Sequence, residues 1–508
     1  MPHPGNTVRR PSSAERVVIV SASVGAGHDG AAAELERRLV AAGLAVDRFD
    51  LLDVLPARLG RLVRDGYHRL LVRAPWAYQR IYSSTERAGG GGPMARALLR
   101  SAEERLLRAL PAGTGAVVST YPGASRVLGN LRRDGRLTVP VLTYLTDFSV
   151  HPLWVADGVD VHLALHAVPA AQARAAGARD VRVCGPVADP RFRPVDAPER
   201  ALARARFGLP PTAPLALLVA GSWGVGPVRE VARDLRDCGA AVPLVVCGRN
   251  ETLADQLRAD GIEHVHGWVD DMPGLMHASD VLVQNAGGLT SLEAFATGLP
   301  VASYGCIPGH GLTNAAALDE AGVAAWIRDP AQLKYVLGEL IDGPRGLLQR
   351  EAGLALFADD PHGPDRGPAA ETARICRAGA EHIPAPTARP CAAPIVGPAV
   401  PPTAHSVAAS IAPRVTPPAA HPVTASIAPR VTPPAARRVA RPAALRLATT
   451  TALACAVWAG AVGTAVATTE SGPGLMHAIG QSLDLDDLSH AHHTGRVPVQ
   501  GHAKGHHA

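Results

Sequence analysis

Two glycine-rich turns, each directly after an unbroken apolar run, constrain this chain more than any other feature. Gly25-Ala26-Gly27-His28 follows Val17-Val18-Ile19-Val20, and Gly287-Gly288-Leu289-Thr290-Ser291-Leu292-Glu293-Ala294 follows Val281-Leu282-Val283. Each reads as a buried parallel strand, a tight turn and a helix start. A helix N-terminus presents unpaired backbone N–H groups and a partial positive charge, which suits an anion such as a diphosphate. Two such turns in successive halves predict an α/β chain of two Rossmann-like domains with a cleft between them.

The rest of the chain fits that frame. Strand and helix patterns alternate from residue 14 to about residue 383, the mark of doubly wound parallel sheets. We place one domain at 14–190 and the second at 191–383, joined through a proline-rich, aperiodic stretch, Cys184–Pro198. Residues 384–446 read as a Pro/Ala-rich, disordered linker containing a tandem repeat, A-H-x-V-x-A-S-I-A-P-R-V-T-P-P-A-A, at 404–420 and 420–436. Proline at that density blocks helix and central strand. Leu447–Thr469 carries no charge and is long enough for a single transmembrane helix. Arg437, Arg438, Arg441 and Arg446 precede it, which puts the folded domains on the cytoplasmic side of the cell membrane. A histidine-rich tail, 470–508, reads as solvated.

The bulk numbers exclude several classes. The net charge is only +5, and no dense Lys/Arg tract with interleaved aromatics occurs, so nucleic acid is not an expected partner. The seven cysteines are scattered without a CxxC pair, against a zinc site or a disulfide framework.

Candidate site residues cluster at strand ends, where open α/β sheets bind ligands. In the second half Gly287 and Gly288 let backbone approach a diphosphate. Leu289 opens the helix, Thr290 and Ser291 add hydroxyls, and the Glu293 carboxylate suits ribose hydroxyls. Gly221-Ser222 follows another strand. Gly267-Trp268-Val269 can read a pyrimidine edge through the backbone of Val269. Pro308-Gly309-His310-Gly311-Leu312-Thr313-Asn314 reaches the same cleft, with His310 and Asn314 as sugar ligands. In the first half Gly25 and Gly27 face the reacting partner. His28 is the candidate general base, since imidazole ordinarily titrates near neutrality. Asp147 either orients His28 or is itself the base. No Asp-x-Asp occurs before the tail, so the departing diphosphate is expected to meet a helix N-terminus, with no metal or cofactor.

Over roughly residues 16–330 the chain resembles GT-B glycosyltransferases of the monogalactosyldiacylglycerol synthase group, related to MurG. The resemblance is carried by Ser21–His28, Thr146-Asp147-Phe148 with His151-Pro152-Leu153-Trp154, Cys184-Gly185-Pro186-Val187, Gly287–Ala294 and Gly298-Leu299-Pro300. It implies inverting transfer of a hexose from a UDP-sugar to a lipid acceptor such as diacylglycerol, with His151 and Trp154 on the acceptor side. Two positions depart from the family pattern. Asn285 stands where a Lys or Arg is frequent, and His310-Gly311 replaces Gln-Glu; the donor sugar therefore stays open.

Arginines 58, 61, 64, 69, 73, 80, 87 and 108, interleaved with Tyr67, Trp76, Tyr78 and Tyr82, suit an anionic membrane surface. Two other readings compete. Gly25-x-Gly27-x-x-Gly30, with Asp47 or Asp50 downstream, also fits an NAD(P)-binding oxidoreductase. A catalytically degenerate, membrane-tethered scaffold of the same fold is the other.

Overall fold

The computed structural model describes residues 16–55, 59–88, 93–358 and 367–378. The linker, the 447–469 segment and the histidine-rich tail lie outside them. Among the described residues no helix is long and apolar enough to cross a membrane.

Apolar runs form the strands. In β1 (Arg16–Ser21) the side chains Val17 to Val20 are fully buried, as expected for a parallel strand covered on both faces. With β2 (Ala45–Asp50), β3 (Thr114–Ser119), β4 (Val141–Tyr144), β5 (Val161–Ala164) and β6 (Val181–Val183) it makes an all-parallel sheet in the order β2-β1-β3-β4-β5-β6. Val17 pairs with both Val46 and Ala116.

A second parallel sheet contains β7 (Leu215–Val219), β8 (Val242–Val246), β9 (His264–His266), β10 (Val281–Gln284), β11 (Val301–Ser303) and β12 (Ala325–Trp326). Its order is β12-β11-β10-β7-β8-β9. Counted from β7, that is the doubly wound dinucleotide-fold order, 3-2-1-4-5-6. The strand order reverses between β1 and β3 in the first sheet, and between β7 and β10 in the second. Ligands bind at the carboxyl ends beside such switch points. The two glycine turns leave β1 and β10, one switch point each.

The sheets share packing. One apolar cluster runs from Val17, Ile19 and Leu35 through Phe148 to Leu282 and Phe295. The Phe148 and Phe295 rings meet edge to face, centroids 6.4 Å apart. The helix Gly367–Ala378 follows the second sheet in sequence but packs against the first domain. Its Cys376 Sγ contacts the Arg16 carbonyl, Arg377 donates to the Ala42 carbonyl, and Glu371 pairs with Arg182.

The basic and aromatic stretch folds as helices Leu59–Arg73, Pro75–Ala88 and Pro93–Ala109. Tyr67, Tyr78 and Tyr82 are buried, and only Trp76 of the four aromatics is exposed, at 68%. These tyrosines turn inward to the second domain, so the expected outward aromatic surface reduces to Trp76. Arg58 lies outside the described residues.

Candidate active site at the domain interface

A cavity of about 480 Å³ opens between the two domains, within the range of small-molecule sites. The first domain contributes Gly25, Gly27, His28, Thr146, Asp147, His151 and Trp154. The second contributes Gly221, Ser222, Val269, Glu293, His310 and the Gly287–Thr290 turn. Of the residues singled out from sequence, only Ser291 and Asn314 do not line it.

The helix after the first turn begins at Ala26, so His28 stands in its first turn. Its Nδ1 is 3.0 Å from Thr146 Oγ1. Tyr121 meets the ring edge-on at 5.4 Å, and Trp154 lies 6.0 Å away. The orienting partner is thus Thr146 and not Asp147: two residues past the end of β4, the Thr146 hydroxyl turns to the imidazole. With Nδ1 held, Nε2 is the nitrogen left for a substrate hydroxyl. Asp147 lines the cavity and accepts from Asn314 Nδ2 at 3.5 Å.

At the second turn, Gln284 settles which amides stay free. Its Oε1 accepts from Ala286 N at 2.8 Å and from Gly287 N, while its Nε2 donates to Ser303 Oγ. The helix Leu289–Thr297 starts with no side-chain cap. The unpaired N–H groups of Gly288, Leu289 and Thr290 therefore open the helix toward the cavity. Gly287 has φ +73°, and a Cβ there would lie 2.7 Å from the Asn314 Cβ; a Cβ at Gly288 would meet nothing within 4 Å. Space for a ligand is at Gly288, and the backbone constraint is at Gly287.

Burial pushes the Glu293 carboxyl up to about 7, reinforced by Asp189 and opposed by Arg191. Ser291 Oγ is buried without a partner, so the hydroxyl expected to bind donor points into the protein. Asn314 is an interdomain strut instead of a sugar ligand. Its Oδ1 accepts from Ser149 N at 2.8 Å and Ser149 Oγ at 3.0 Å, and its Nδ2 donates to the Ala286 carbonyl at 3.0 Å. Asn314→Ala strips the partners from both sides of the interface. We expect a loss of about 1–3 kcal/mol in urea unfolding.

His151 lines the cavity, but Nδ1 accepts from Leu153 N and Nε2 faces Thr85 Oγ1. Burial pushes it down to about 4, so it is a neutral structural imidazole. Asn285 is equally committed: its Nδ2 donates to the Val225 carbonyl at 2.8 Å and its own carbonyl accepts from Ile307 N. It ties together the loops after β7, β10 and β11.

Trp268 Nε1 donates to Asp270 at 2.9 Å, and the Arg249 guanidinium lies 4.5 Å over its ring. Across the cleft, Trp223 packs on His68 and Tyr67 at 5.0 and 6.0 Å. Tyr78 Oη meets His310 Nδ1 at 2.9 Å, Gln79 accepts from Gly309 N, and Tyr82 Oη meets Thr313 Oγ1 at 3.2 Å. Sequence reasoning missed Thr146, Gln284 and this tyrosine latch. Gln284 had a visible signal, a polar residue closing an apolar strand.

The dinucleotide reading loses its space. Leu289 of the second domain packs over Gly27 and Gly30, where a Cβ on Gly30 would collide with it. Asp47 pairs with Arg16, and Asp50 caps Leu52 N while accepting from Ser23 N.

Residues 224–342 match the family described as glycosyl transferases group 1. Processive diacylglycerol beta-glucosyltransferases of Bacillus cereus and Bacillus mycoides are each 27% identical over 257 residues, covering 49% of this chain and 65% of the relative. The chain thus spans just under two thirds of the length of these curated relatives. The crystal structure of Acinetobacter baumannii MurG is 17% identical, covers 72% of this chain and 100% of its own, and superposes with a TM-score of 0.43.

Proposed function

We propose, from a chain whose residues 224–342 form a group 1 glycosyltransferase domain homologous to diacylglycerol glucosyltransferases, that this protein transfers a hexose from a UDP-sugar to a membrane lipid such as diacylglycerol. The observation that carries the reading is the shared cavity: the uncapped helix mouth at Gly288–Thr290 opens into the same space as the His28 imidazole. An anion seat facing a base is what inverting glycosyl transfer needs.

In this reading the diphosphate occupies the amides of Gly288, Leu289 and Thr290, and the ribose hydroxyls donate to Glu293. The uracil lies against Val269, beside Trp268. The acceptor hydroxyl enters from the Gly25–Gly27 and Trp154 side. His28 Nε2 takes its proton as the oxygen attacks the anomeric carbon. The bond from that carbon to the diphosphate oxygen breaks on the opposite face, and its electron pair leaves with UDP. Nδ1–H, donating to Thr146, supports the imidazolium that forms. Attachment to the cytoplasmic face of the cell membrane through 447–469 belongs to the same proposal.

Membranes containing the full chain, incubated with radiolabelled UDP-hexoses, are expected to release UDP and yield a labelled glycolipid. UDP binding without consumption of any UDP-hexose would favour the tethered scaffold instead.

A further inference from the structure

A nucleoside diphosphate brings at least two negative charges into this cavity, yet among the described residues that line it there is no lysine and no arginine. The neighbouring Arg191 is paired with Asp189 at 2.9 Å. Helix N-termini supply only partial charge. The side chains able to become cationic there are His28, His151 and His310. His151 has both ring nitrogens engaged, and His28 must remain unprotonated to act as a base. His310 remains.

Its setting fits a proton acceptor. Nδ1 is 2.9 Å from Tyr78 Oη, and Tyr78 is itself hydrogen-bonded to Tyr67. A tyrosine that donates to Tyr67 can accept from His310 Nδ1–H, which leaves the lone pair on Nε2 of a ring that lines the cavity. His310 also opens the helix His310–Glu320, whose preceding loop is bonded to the other glycine turn through Ile307 N and the Asn285 carbonyl. The groups facing it are Tyr78 from the helix Pro75–Ala88, with Tyr82 packed on Tyr78, Asp147 from the strand end, and His28 from the first turn. Thr313 lies one turn on, its hydroxyl 3.3 Å from the His310 carbonyl. Burial lowers the affinity of His310 for a proton; Asp147 opposes this and His28 reinforces it.

We propose that His310 is the counter-cation of this cavity, taking up a proton on Nε2 when a nucleoside diphosphate binds and releasing it when the nucleotide leaves. The inference rests on the UDP reading above and deepens it. The proton comes from solvent; Nε2–H then donates to a diphosphate oxygen while Nδ1–H stays on Tyr78 Oη. Because the bound form carries the extra proton, affinity is greatest at low pH and falls as pH rises through the bound imidazole's titration.

Isothermal titration of the full chain with UDP at pH 8, in two buffers of different ionisation enthalpy, measures proton uptake directly. Glu293 needs its own control, because it titrates near 7. The wild-type protein is expected to take up roughly half a proton or more per UDP, and its affinity to fall by up to about tenfold between pH 7.5 and 8.5; Glu293→Gln, weakened by its altered ribose contact, is expected to keep that uptake per UDP bound. His310→Gln is expected to bind UDP more weakly with no uptake. His310→Arg, a permanent cation, is expected to keep the affinity and lose the pH dependence. UDP binding by wild type without uptake, uptake that survives in His310→Gln, or wild-type binding that needs millimolar Mg²⁺ would overturn the inference and leave the UDP reading intact. No UDP binding at any pH would overturn both.

Discussion

Replacing His28 with alanine is expected to lower kcat for hexosyl transfer by roughly 10²- to 10⁴-fold, the usual contribution of a positioned general base. UDP affinity is expected to stay within about twofold, a fraction of a kcal/mol. The separation follows from geometry. The imidazole hangs from the first domain, held by Thr146 and the Tyr121 edge, whereas the free amides belong to the second domain. Removing the ring therefore takes away proton transfer and leaves the anion seat. Parallel measurement of steady-state turnover and UDP titration checks this; a loss of UDP binding equal to the loss of turnover would place the imidazole on the nucleotide.

The second large effect separates two adjacent glycines. Gly288→Ala is expected to fold like the parent protein, because its φ is −89° and a Cβ there meets nothing. Its methyl group would instead stand in the space assigned to the diphosphate, and UDP affinity is expected to fall at least about tenfold. Gly287→Ala is expected to do the reverse. With φ +73° and the Asn314 Cβ in the way, it should cost about 1–2 kcal/mol of stability or more through strain and displacement of the strut. Thermal unfolding and UDP titration of the two variants side by side distinguish a binding defect from a folding defect. Equal UDP affinity for Gly288→Ala and wild type would mean the ligand lies elsewhere.

Much of the architecture was legible because parallel strands buried on both faces appear in sequence as continuous apolar runs. Val17–Val20 and Val281–Val283 announce their strands, and the glycines after them announce the turns. The meeting of the turns was legible as a cleft between successive α/β halves. What was not legible depends on side-chain direction. Thr146 and Asp147 are adjacent, and only the path of the chain leaving β4 decides which one reaches His28. Thr290 and Ser291 are likewise neighbours, but a helix rotates by about 100° per residue, so one faces the cavity and the other the interior. Asn314 looked like a ligand because it is polar and near the cleft; its partners, Ser149 and Ala286, are remote in sequence or on a separate turn. The tyrosines at 67, 78 and 82 suited a lipid surface, and nothing local in the sequence told such a surface from a second domain. The arrangement of the domains chose the latter.

The most direct test is a crystal structure of the full chain with UDP. The diphosphate oxygens are expected within hydrogen-bond distance, about 3 Å, of the Gly288, Leu289 and Thr290 amides, with the terminal phosphate toward His28. UDP seated instead on the N-terminus of the helix Ala26–Ala41, or outside the interdomain cavity, would contradict the assignment of this cleft as a glycosyl-transfer site.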